Sequence, residues 1–155
     1  MIPLSVAQVA EITGAVLDEV PDPAAVVTGP VVIDSREAGP GALFAALPGS
    51  RADGHEFAAV AAAAGAAAVL ATRPVGVPAL LVGDVQAALA ALAAEVVRRL
   101  PGLTIAGITG SAGKTTTKDL TAQLVESLGP TVSNRGSFNN EIGNPLTIVL
   151  TSASN

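Results

Sequence analysis

The chain has 155 residues, half of them apolar and almost all of those small aliphatics, with three Phe and neither Trp nor Tyr. That length allows one ordinary domain, or one small domain and part of another. The net charge of −5 argues against a general nucleic-acid binder, and the absence of cysteine excludes disulfides, thiolate metal sites and redox motifs.

The opening residues lack the basic start and unbroken apolar core of a signal peptide. The Ala-rich runs 58–68 and 87–94 are too short, or too close to charges, for a convincing membrane span. A cytoplasmic protein with no membrane insertion is the default expectation. Ser5 to Thr13 reads as a helix that Ser5 can cap and Gly14 ends. Pro21, Pro23 and Gly29 break up the next stretch. Val31 to Ile33 reads as a strand running into Asp34-Ser35-Arg36, and Pro40-Gly41 as a turn. Leu43 to Leu47 is a second strand, followed by the polar loop Ser50 to His55. A helix over Glu56 to Ala64 and buried strands over Ala67 to Ala71 and Ala79 to Val82 come next. Asp84 caps a long helix to Leu100, which Pro101-Gly102 closes. Strands alternating with helices predict an α/β fold. The Pro101-Gly102 break marks the expected boundary, with residues 1–100 as one small α/β domain that folds alone.

Beyond that break, Leu103 to Ile108 reads as an apolar strand, Gly110 to Gly113 as a glycine-rich turn, and Thr116 to Leu128 as a helix. Strand, glycine turn, Lys-Thr and helix are the parts of a phosphate-binding loop. Glycines let backbone N–H groups converge on phosphate oxygens, and the helix N-terminus adds its positive end. Gly110, Ser111, Ala112, Gly113 and Thr116 are the candidate cradle. Lys114 is the candidate contact to the β- and γ-phosphates, and Thr115 the candidate magnesium ligand. The spacing departs from G-x-x-x-x-G-K-[ST], since Ile108 stands where the first glycine belongs. After the helix come Gly129-Pro130, a short strand over Thr131 to Ser133, the polar loop Asn134 to Asn144, and an apolar segment from Pro145. A P-loop domain needs further parallel strands and a second acidic element, so residues 103–155 read as the opening of a larger domain.

Three blocks carry a family resemblance: VVIDSREAGPGALFAALPGSRADGHEF, GITGSAGKTTTKDL and FNNEIGNPLT. Together they resemble the start of a Mur ligase, one of the ATP-dependent amide ligases that build the peptidoglycan precursor in the cytoplasm. The resemblance implies a small N-terminal α/β domain that binds the UDP end of the precursor, followed by the ATP-binding domain. It implies ATP and Mg²⁺ as cofactors and an acyl phosphate route to the amide. The Lys118 continuation and NNEIGNPLT favour the family member that joins D-Ala-D-Ala to UDP-N-acetylmuramoyl-tripeptide. The alternatives are the member that adds the third peptide residue, the related folate-polyglutamate ligases, which share the variant glycine turn but not the DSR and DGH block, and, for this segment by itself, a non-catalytic UDP-sugar-binding module. A monomer is expected, and the 155 residues alone are expected to be inactive.

The same resemblance places Ile33 and Ser35 beside the uracil, and Ser50, Arg51 and Ala52 in the loop meeting the UDP-sugar. It places Asn139, Asn140 and Glu141 beside nucleotide and substrate. Read by themselves, these residues also fit plainer roles: a strand end with an internal salt bridge at Asp34-Ser35-Arg36, a solvated Arg51, and Asn-rich turn chemistry. Asp53 and His55 read as the opening cap of a helix.

Overall fold

The computed structural model describes residues 2–49, 52–134 and 143–149. The first of its seven short strands are β1 (Leu4–Ser5), β2 (Val16–Asp18) and β3 (Val26–Val27). The other four are β4 (Val31–Val32), β5 (Leu43–Ala45), β6 (Ala68–Ala71) and β7 (Ala79–Leu81). The helices are α1 (Val6–Thr13), α2 (Ala58–Ala63), α3 (Val85–Arg99), α4 (Lys114–Val125) and α5 (Gly143–Val149). Strands β4 to β7 run parallel in the order β7-β6-β5-β4, with β2 antiparallel on the outer edge of β7. Strands β1 and β3 form a separate antiparallel pair.

Successive residues of a strand point to opposite faces, and here both faces are covered. Val31, Leu43, Ala45, Leu70 and Leu80 join one core with α1 and α3. Val32, Phe44, Ala46, Val69 and Ala71 join the other, against Ala58 and Ala61 of α2. The buried positions of α3 are Val85, Ala88, Leu89, Leu92, Ala93 and Val96, a stripe at helical spacing. Burying a leucine such as Leu89 or Leu92 contributes about 1.5–3 kcal/mol. The helix ends follow their sequence signals. Ser5 and Gln8 close a reciprocal capping box on α1, and Gly14 ends it. The Asp84 carboxylate accepts from the Gln86 and Ala87 amides at the start of α3.

The expected elements of the first hundred residues are present, shortened by a residue or two. The helix expected from Glu56 begins instead as a 3-10 turn, Gly54–Phe57, before α2. Strands β1, β2 and β3 were not foreseen, because two or three residues show no readable period. Beyond Gly102 the strands expected over Leu103 to Ile108 and Thr131 to Ser133 are corrected: both segments are irregular. A strand is held by its neighbours, and neither segment has a ladder partner among the described residues. Ile105 is accordingly 56 % exposed. Helix α4 begins at Lys114, earlier than expected, directly after the glycine turn.

Helix α5 was also not foreseen. It packs on α3, and Val149 is wholly buried in the core that α1 and α3 share, with Leu146 and Ile148 against it. Val149→Ala removes two methyl groups from that core. It is expected to lower stability by about 2 kcal/mol in urea unfolding, and α3 amides should exchange faster.

Candidate functional site

Two places collect the candidate residues. The first is the turn before α4. Gly113 is the residue preceding the helix and has φ of +75°, a left-handed conformation that glycine adopts without strain. That conformation turns the chain into the helix so that its first N–H groups face outward, unpaired within the helix. Lys114 folds back over the turn, its Nζ donating to the Gly110 carbonyl at 2.6 Å. Ser111, Ala112, Gly113, Thr115 and Thr116 are exposed. An open cleft of about 1350 Å³ lies between the 100–110 segment, the 128–134 segment and the α4 face bearing Lys114, Thr115 and Lys118.

The donor set fits a nucleotide triphosphate: glycine-turn amides, a helix N-terminus, a lysine held by one exposed carbonyl, and a free-standing threonine hydroxyl. It also fits Mg²⁺ held in the usual way, by Thr115 with phosphate oxygens and water. Among the described residues no cluster of three His, Asp or Glu side chains offers a protein-only cation site. Lys118 is mostly covered. It donates to the Asn134 backbone carbonyl and pairs with Asp119 at 2.8 Å. Asn134 in turn donates through its side chain to Asn144 of α5 at 2.8 Å. Asn144 lines the cleft and was missed as a candidate, although it is the last asparagine of the loop already singled out.

The second place is the carboxyl edge of the parallel strands, where open α/β sheets carry their ligand sites. Ile33 and Ser35 follow β4, and the loop containing Ala52 follows β5. The parallel register Val32↔Phe44 brings the ends of β4 and β5 out on the same edge. Ile33 leans on the α1–α3 core, Ser35 is half-buried, and Ala52 is exposed. Asp34 accepts from the Arg36 amide and holds the Arg36 guanidinium with a closest contact of 2.5 Å, so the internal salt bridge is present. Ser50, Arg51, Asn139, Asn140 and Glu141 lie outside the described residues.

Residues 30–112 match the family described as "Mur ligase family, catalytic domain", and residues 108–154 match "Mur ligase middle domain". The chain belongs to the Mur ligase family. A UDP-N-acetylmuramoyl-tripeptide--D-alanyl-D-alanine ligase of Mycobacterium bovis is 54 % identical over 96 % of this chain and 34 % of its own length. Among solved structures, MurF from Acinetobacter baumannii superposes with a TM-score of 0.83 at 32 % identity, over 96 % of this chain and 33 % of that one. The MurF ligase of Thermotoga maritima in complex with ADP superposes with a TM-score of 0.60 at 34 % identity, over 79 % of this chain and 29 % of that one. This chain thus spans about a third of the length of the Mur ligases it matches. Among the described residues no helix is long and apolar enough to cross a membrane.

The Arg36 side chain, by its hydrogen bonds first and the Arg36 amide second, holds the Asp34 carboxyl down at about 2. A depressed folded-state value means the pair stabilises the β4 turn above the ordinary carboxylate range, near 3.8, and the contribution is lost as pH falls through about 2. In Arg36→Ala the Asp34 titration, followed by carboxyl NMR shifts, is expected to move back up toward the ordinary value. The amide bond should hold it somewhat below that value.

Proposed function

We propose that this chain is the front part of a ligase that joins D-Ala-D-Ala to UDP-N-acetylmuramoyl-tripeptide. The observation that carries this reading is the combined match. Identity of 54 % to a ligase of that name covers nearly the whole chain, and it includes both the loop before α4 and the strand-edge block. Residues 1–100 form the precursor-binding domain in this reading, and residues 103–155 begin the ATP-binding domain. The working compartment is the cytoplasm, where the nucleotide-linked precursor and ATP are both available. The whole enzyme acts as a monomer.

The chemical problem is to make an amide from a carboxylate, which is a poor acyl donor. Bound ATP would supply the phosphoryl group that converts the carboxylate into an acyl phosphate, leaving ADP; the amine of D-Ala-D-Ala then attacks the acyl carbon and expels inorganic phosphate. The chain's own residues provide position and charge. The amides of Gly110 to Gly113 and the N-terminus of α4 hold phosphate oxygens. Lys114 leaves the Gly110 carbonyl to neutralise the charge developing on the transferred group. Thr115 holds the magnesium ion. At the strand edge, Ile33 and Ser35 take the uracil end, while Ser50, Arg51 and Ala52 meet the diphosphate and sugar, with Arg51 offering the bidentate geometry that suits a diphosphate. Asn139, Asn140 and Glu141 stand beside nucleotide and substrate.

The test is phosphate release by the full-length ligase carrying this sequence, given UDP-N-acetylmuramoyl-tripeptide and ATP. Release should depend on D-Ala-D-Ala; release that depends instead on a free amino acid with a dipeptide precursor would assign the enzyme to the preceding step. Lys114→Ala should lower turnover by at least about a hundredfold, the scale of losing one transition-state contact to a transferring phosphoryl group. Its side chain faces the cleft rather than the core, so the ligand-free melting temperature should stay within about 2 °C. Ser35→Ala and Arg51→Ala should raise KM for the UDP-precursor several-fold and leave KM for ATP nearly unchanged, which steady-state kinetics in each substrate will show.

A further inference from the structure

The only histidine of the chain, His55, is buried in the 3-10 turn that follows the β5 loop. Its surroundings go beyond capping. Asp53 accepts from the His55 amide at 3.0 Å and lies 2.5 Å from Nδ1 of the ring, while also holding Arg73 at 2.9 Å. On the other side of the ring, the Thr72 amide donates to Nε2 at 3.0 Å, with the Thr72 hydroxyl at the same distance. An amide N–H has only a hydrogen to offer, so Nε2 is the acceptor and the hydrogen sits on Nδ1, directed at Asp53. The imidazole is therefore neutral, fully engaged at both nitrogens, and bridges two different strand ends.

The loop it grips is closed at the base. Pro48 pairs with Asp53, the Gly49 amide donates to Ala52, and the Gly54 amide donates to Leu47 at 2.9 Å. At Gly54 a Cβ would meet the Leu47 carbonyl at 2.6 Å, so only glycine lets the two sides of the loop come this close. These bonds make the loop a unit but attach it only to the end of β5. The buried ring of His55, together with the exposed Asp53–Arg73 pair, supplies the second attachment, just past the end of β6. Beside them lies a hollow of about 290 Å³, walled by Leu47 and Pro48 from the loop, Thr72 just past β6, and Gly83 to Gln86 at the start of α3. The bridge thus fixes the separation of two walls of a hollow on the carboxyl edge of the sheet.

We infer that His55 is a positioning residue for precursor binding: the Asp53–His55–Thr72 bridge ties the described part of the β5 loop, with Pro48, Gly49 and Ala52 exposed, to the strand edge where the nucleotide-sugar is read to bind. This rests on the reading of the strand edge as the UDP-precursor site. The ring has two separable tasks, and two substitutions divide them. Asparagine places a donor where Nδ1 stands but is too short to reach Thr72. Glutamine can present an acceptor where Nε2 stands.

The experiment measures the affinity of the 155-residue chain for UDP-N-acetylmuramoyl-tripeptide by calorimetry, well below the lowest melting temperature of the series. Thr72 amide exchange is followed by NMR on the same samples. His55→Asn should weaken binding by about tenfold and speed Thr72 exchange, and His55→Gln should recover binding to within about threefold of the wild type, these being the ratios that small changes in binding free energy produce. Arg51→Ala reports separately on the loop. If Arg51→Ala weakens binding while a folded His55→Asn binds as tightly as the wild type, the bridge is structural only and the inference is overturned. If the wild type does not bind, or neither variant changes binding, the strand-edge reading itself fails and the inference falls with it. Should His55→Asn not fold, Asp53→Ala, which removes the acceptor that orients the ring, carries the same expectation against the same alternatives.

Discussion

Buried backbone amides have to be paired, and in this chain the pairing is available along four short parallel strands. That constraint decides which of the apolar segments become strands. β5 and β6 are flanked on both sides by other strands and buried on both faces, which is why so few residues suffice to define them. The segment 103–108 is also largely apolar, yet it stays irregular because nothing among the described residues lies beside it to complete a ladder. The same holds for the faces of α4, where Leu120 and Leu124 are exposed with no layer over them. Apolar composition marks what a segment is suited to, and only a neighbour turns it into structure.

The parallel ladder also determines where chemistry can collect. Each of β4, β5, β6 and β7 delivers its carboxyl end to one edge, so Ser35, the β5 loop, Thr72 and Asp84 come together although they span fifty residues of sequence. Small side chains make this edge accessible. The strands are built from Ala, Val and Leu with a single Phe, and the layers on either face supply the packing. Polar residues at the strand ends are then free to make caps and bridges: Asp34 to Arg36, Asp53 to His55 and Arg73, and Asp84 to the start of α3.

Much of this was legible in the residues. Gly14, Asp84 and Pro101 bound their helices because capping and chain-breaking are local, and the α3 stripe is visible as a helical period. The glycine turn, Lys114 and Thr115 were legible for the same reason, since the geometry that brings them together is one turn of backbone. What stayed hidden was non-local. Nothing near His55 in sequence reveals that its ring meets Thr72, seventeen residues away, so it reads as half of a helix cap. Strands β1 to β3 are too short to show alternation, and Val16 of β2 is 68 % exposed, which erases the buried pattern expected of a strand. The strands expected over 103–108 and 131–133 failed from the opposite side: their local signal is strong and the partner is missing.

Helix α5 shows how the parts of the chain before and after Pro101-Gly102 are connected. The covalent link between them, residues 101–113, is irregular and largely exposed, and by itself would leave α4 loosely tethered. The firmer connection is made by side chains. Lys118 on α4 holds the Asn134 carbonyl, Asn134 holds Asn144, and α5 carries that grip along to Val149, sealed in the core against α3. Each step is a direct contact, and the last is the kind that resists displacement, because withdrawing Val149 exposes apolar surface and opens a void. A helix this short has little stability of its own. It persists because its far end is anchored, and that anchorage gives the face of α4 bearing Lys114 and Lys118 a fixed point on the body that carries the strand edge.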